Sequence, residues 1–151
     1  MRRFTVAPLG TRLRASLVAH GVVVIILGLL AGFPFALVIT GDLQGDLRAW
    51  RVAHLEGVLN GLVLVGVGAA GGHITLTPSQ ARWLWGGLLV AGYGNVVAAT
   101  IAAACGVRGL AATPPLSNLI VFFLFTAAIV GVFVGLYLAA RGAFRHAARG
   151  D

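Results

Sequence analysis

The chain reads as an all-α integral membrane protein, a bundle of four transmembrane helices making one domain over residues 1–151. Three observations predict this. Hydrophobic residues make up 59% of the sequence and charged ones 10%, with a mean hydropathy of +0.97; a soluble domain carries about a quarter charged residues. Four stretches hold no Asp, Glu, Lys or Arg: Ala15 to Gly41, Gly57 to Ala81, Trp83 to Val107 and Gly109 to Ala140. Each exceeds the roughly 20 residues that cross a hydrocarbon core, where unpaired backbone groups force a helix.

The third observation is the placement of charge. All eleven basic residues are Arg. Arg2, Arg3, Arg12 and Arg14 precede the first stretch, Arg82 divides the second from the third, and Arg141, Arg145 and Arg149 follow the fourth. Only Arg48, Arg51 and Arg108 fall on the other side. Both termini are therefore expected in the cytoplasm. The net charge of +7 orients the chain in lipid, and no nucleic-acid partner is expected. The single cysteine, Cys105, excludes an internal disulfide and a CxxC motif.

Helix one is expected over about Ser16–Ile39, too long for the core of a signal peptide. His20 lies one turn inside it, followed by Gly21, Gly28 and Gly32, and Pro34 is expected to kink its last turn. A loop with Asp42 and Asp46 leads to Trp50 at the interface.

Helix two spans about 49–71 and carries the densest chemistry. His54, Gly57, Gly61, Leu64 and Gly68 share one stripe at 100° per residue, while Glu56 and Asn60 form an i, i+4 pair on a flank. Thr77-Pro78-Ser79 reads as a turn. Helix three spans about 82–105, with Tyr93 and Asn95 on different faces. Helix four, about 116–140, is apolar all round and is assigned to packing. His146, in the Arg-rich tail, is expected to be solvated.

Polar groups in lipid are costly and usually face a partner or a cavity. His54 has two readings: an interfacial imidazole bonded to a carbonyl, or a metal or haem ligand given room by Gly57 and Gly61. Gly57 and Gly61 also form a GxxxG, which serves plain helix contact equally well. Glu56 either pairs with Arg48 or Arg51 or serves a site. His20 is first an interfacial residue, with a second ligand or a hydrogen-bond partner as alternatives. Asn60 and Asn95 either bond each other across helices two and three or orient a polar substrate group. No soluble-enzyme motif is present, and Gly66-Val-Gly68-Ala-Ala-Gly71 lies inside a membrane helix.

The segment Ala53-His-Leu-Glu-Gly-Val-Leu-Asn-Gly61, with Ala19-His20-Gly21 and Gly92-Tyr93-Gly94-Asn95, resembles the hydroxylaminobenzene mutases. These are small four-helix bacterial membrane enzymes, related more distantly to styrene-oxide isomerases. The resemblance runs from about Ala19 to Gly109. It implies a homotrimer in the bacterial inner membrane with haem b between protomers, His54 as axial ligand, and a small apolar aromatic substrate reached through lipid. It also implies that Asn60 and Asn95 orient the substrate, with Glu56 or Tyr93 moving a proton. Ala91 and Ala99 stand where the epoxide isomerases carry an aspartate and a tyrosine, which favours the mutase branch. The expected activity is rearrangement of an aryl hydroxylamine to an aminophenol, with ferric haem as Lewis acid. The alternatives are an epoxide isomerase of the styrene-oxide type and a non-catalytic haem carrier, the latter favoured by bis-histidine ligation through His20.

Overall fold

The computed structural model describes residues 5–150. Arg2 and Arg3, counted above among the orienting charges, lie outside the described residues. A two-residue strand β1 (Ala7–Pro8) precedes helices α1 (Thr11–Thr40) and α2 (Leu47–Ala70). A 3-10 turn (Gly71–His73) and strand β2 (Thr75–Leu76) then lead into α3 (Pro78–Cys105) and α4 (Leu116–Ala147). All four helices are long and apolar enough to cross a membrane. The all-α bundle is as expected.

The helix ends differ from the sequence reading for local reasons. Thr77-Pro78-Ser79 is not a turn but the start of α3. Thr77 is the N-cap, Gln80 reaches back to complete a capping box, and Pro78 occupies the first helical position, where its missing N–H costs nothing. α1 begins at Thr11 and continues through Pro34 to Thr40, where Gly41 closes it in the left-handed conformation at φ 82°. α4 runs on through the Arg-rich tail to Ala147. His146 is therefore helical and half-buried; its Nδ1 lies 3.3 Å from the Thr75 hydroxyl and its ring packs edge-on against His73.

α1 and α2 share the broadest contact, α3 and α4 the next, and α2 joins the two pairs. Leu17, Val24, Leu64, Leu84, Leu88 and Val121 fill the interior without exposure. The amide of Leu9 donates to the carbonyls of Gly71 and Ile74, both at 3.1 Å, and β1 pairs antiparallel with β2. Both chain ends therefore meet the α2–α3 connection at one end of the bundle. Arg14 reaches the last carbonyls of α2, Gly68 and Ala69, at 3.4 Å each. A cation there complements the helix dipole. The opposite end carries Asp46, which caps α2 through the amides of Arg48 and Ala49.

Candidate functional site

α2 is squeezed against α1 along glycines on both sides. A Cβ on Gly57 would collide with the backbone of Gly28, and one on Gly61 would lie 2.6 Å from the Gly21 carbonyl oxygen. The small-residue stripe is thus a helix–helix seam. This corrects the expectation that Gly57 and Gly61 leave room for a macrocycle: within one chain, α1 occupies that room.

His54 ends the seam. Its Nδ1 lies 2.9 Å from the Gly28 carbonyl oxygen, and its ring stacks on Phe35 with centroids 6.3 Å apart. Gly32 makes this possible, since a Cβ there would stand 3.0 Å from Nδ1. A carbonyl only accepts, so Nδ1 is protonated, and in the neutral ring the lone pair is on Nε2. The carbonyl-bonded reading of His54 and a ligand role are therefore compatible: the first fixes the tautomer that the second needs.

Glu56, Asn60 and Asn95 assemble on the other side of α2. The Asn60 amide nitrogen donates to the Glu56 carboxylate at 2.7 Å and to its backbone oxygen at 2.9 Å. Asn95 donates in turn to the Asn60 oxygen at 3.3 Å. All three side chains are half-buried. Glu56 thus takes its partner from its own helix instead of reaching back to Arg48 or Arg51.

Tyr93 and His20 stand apart from both places. The Tyr93 hydroxyl lies 2.8 Å from His20 Nδ1, and His20 meets the edge of Trp85, whose indole N–H donates to Ser16 at 3.0 Å. His20 is thus a hydrogen-bond partner of Tyr93. It precedes Gly28, the anchor of His54, by two turns, or about 12 Å of rise. The two imidazoles therefore do not face one iron within a chain, which corrects the expectation of His20 as a second ligand. Tyr93 lies two residues from Asn95, about 160° away around α3, so it does not join the Glu56 relay either.

The residues that the sequence grouped at one centre thus occupy three places. His54 and Asn60 are six residues apart, which turns them about 120° from each other around α2. Phe35, which stacks on the His54 ring, escaped the sequence reading, and Gly32 figured there only as one of the glycines of helix one. Their role depends on the register of α1 against α2, and only the recurrence of glycines in α1 hinted at a close approach.

The family model described as "Styrene oxide isomerase" matches residues 13–144. The chain belongs to the styrene oxide isomerase family. No curated protein matches it. The matched stretch contains all three polar clusters and all but the outer ends of the four helices, so the family resemblance extends well beyond the Ala19–Gly109 segment. Membership, with four helices of membrane-crossing length, makes the chain a multi-pass membrane isomerase.

Proposed function

We propose that this isomerase rearranges an aryl hydroxylamine to an aminophenol at a haem b held between copies of the chain. His54 of one copy would hold the iron, and Glu56, Asn60 and Asn95 of the next would face the substrate. The supporting observation is the His54–Gly28 bond at 2.9 Å, which orients the ring and engages Nδ1, so that the lone pair of the neutral ring falls on Nε2. Among the described residues no three His, Cys, Asp or Glu side chains gather to hold a bare metal ion. A porphyrin brings its own nitrogens and asks for one imidazole, so the donor set fits haem.

When bound, ferric haem supplies the Lewis acid that weakens an N–O bond. The protein's part is orientation and proton handling. Asn60 is held on two sides by Glu56 and Asn95, so its carboxamide plane is set before substrate arrives. Asn60 and Asn95 orient the oxygen-bearing end, and Glu56 receives and returns the proton as the hydroxyl migrates. The rearrangement gains and loses no electrons, so no reductant is required. The separation of His54 from the carboxamides around α2 supports a site shared between copies, consistent with a homotrimer. The arginines at the end that holds both termini support a cytoplasmic location for that end, in the bacterial inner membrane.

The second reading is epoxide isomerisation, the reaction after which the matching family is named. Ala91 and Ala99, where the epoxide isomerases carry an aspartate and a tyrosine, favour the first. Bis-histidine ligation, the basis for a carrier, lacks support because His20 stands two turns along α1 from Gly28, the carbonyl that holds the His54 ring. Purified protein assayed with phenylhydroxylamine and with styrene oxide separates the readings. Aminophenol from the hydroxylamine, with a Soret band that His54→Ala abolishes, is the expected result. Turnover of the epoxide alone overturns the ordering.

A further inference from the structure

At the end of the bundle away from the termini, a groove of about 360 Å³ opens between α2, α3 and α4. Val52, Ala99, Ala102 and Phe125 wall it, and Arg48 and Arg108 stand at its mouth. Asp46, which also lines the groove, caps α2 through one oxygen: its Oδ1 accepts from the amides of Arg48 at 2.8 Å and Ala49 at 3.3 Å, so the lining carries two cations to one carboxylate. The groove adjoins the polar relay, since Val52 lies one turn before Glu56 and Ala99 one turn after Asn95.

Apolar walls beneath two guanidinium groups suit a flat apolar molecule with carboxylates along one edge, the anions arginine recognises best. A second groove of about 360 Å³, between α1 and α3, has no cationic side chain in its lining. Its hydroxyl, on Thr100, is spent on the Val96 carbonyl at 2.7 Å. The two grooves therefore differ in chemistry and not in size.

We propose that the Arg48–Arg108 groove receives the carboxylate edge of the haem ligated by His54 of a neighbouring copy; this rests on the haem reading above. Copies related by rotation about the membrane normal keep each residue at its own depth. His54 of one copy then stands level with the groove of the next, where Val52 is two residues nearer the surface and Arg48 about 9 Å nearer. Val52, Ala99 and Phe125 would wall the ring, and Arg48 and Arg108 would hold its carboxylates. Ala99 and Ala102 keep the wall flat enough for a ring edge.

The test titrates the full-length, haem-free protein with haem and with haem dimethyl ester, following the Soret band. Wild type should bind the free acid at least about tenfold more tightly, the scale of one charge-assisted pair. In Arg48→Gln/Arg108→Gln the preference should vanish while affinity for the ester stays unchanged, which also shows that the variant is folded. Arg141→Gln, at the other end, should keep the full preference. Equal wild-type affinity for acid and ester overturns this proposal alone, provided the band depends on His54. So does an undiminished preference in the double variant, or loss of ester binding along with it. A wild type with no Soret band, or one that His54→Ala retains, overturns the haem reading as well.

Discussion

His54 and His20 are alike in isolation: each is a half-buried imidazole on a membrane helix with Nδ1 in a hydrogen bond. Their partners make them different. His54 faces a backbone carbonyl, which only accepts, so its tautomer is fixed and Nε2 is left as a base or ligand. His20 faces a phenol, which can donate or accept, so either of its nitrogens can carry the proton. A backbone partner also moves only with its helix, whereas the Tyr93 side chain can rotate away. The first environment orients the ring with Nε2 unengaged, and the second ties α1 to α3. What an intramembrane histidine can do is thus set by the group opposite Nδ1, not by its depth alone.

The largest effect expected from breaking this contrast is His54→Ala. It should abolish the Soret band and bring turnover to background, whereas His20→Ala should leave the band in place; absorption spectra of the two variants decide. Next is Gly32→Val, which leaves His54 in the chain but drives side-chain bulk into its Nδ1 side. Loss of ring orientation should lower haem affinity by about 10- to 100-fold, the usual cost of disturbing the partners of a metal ligand. Haem titration checks this, and an unchanged affinity would show that the Gly28 bond is not what orients the ring.

The relay on the far side of α2 should behave differently. Asn60→Ala is expected to lower kcat by about 10- to 100-fold with haem content unchanged, as for loss of a positioned polar group. In a double-mutant cycle with Asn95→Ala the two losses should fall short of additive, with a coupling of about 0.5–1.5 kcal/mol. Full additivity would mean that the 3.3 Å contact does no joint work. The smallest effect belongs to Tyr93→Phe. It deletes one half-buried hydrogen bond, so thermal unfolding should shift by about 1 kcal/mol in stability, with the Soret band unaltered. A spectral change in that variant would bring Tyr93 and His20 back to the haem.

The fold was largely legible because lipid is a demanding solvent. Uncharged stretches as long as Gly109 to Ala140 leave a chain few options besides a helix. The bounds were less legible, and Thr77-Pro78 shows why. The same residues start turns and cap helices, and the distinction rests on Gln80 folding back onto Thr77. The site was legible in its members and not in their grouping. His54, Glu56, Asn60 and Asn95 stand out as polar groups in an apolar stretch, and the Asn60–Asn95 contact follows from two carboxamides seeking partners. The stripe through Gly57 and Gly61 reads equally well as a cleft or a seam, because a missing side chain says nothing about what fills the space.

From sequence alone came the membrane class, the helix count, the charge asymmetry between the two ends, and the short roster of side chains able to do chemistry. These follow from composition and from the energetic cost of polar groups in hydrocarbon, neither of which needs to know the neighbours. The tertiary structure alone decided that α1 fills the glycine stripe, that Gly28 fixes the His54 tautomer, and that His20 and Tyr93 keep company away from the carboxamides. Each of these depends on how one helix is rotated and slid against another. That register is settled by the fit of whole surfaces, to which no single residue holds the key.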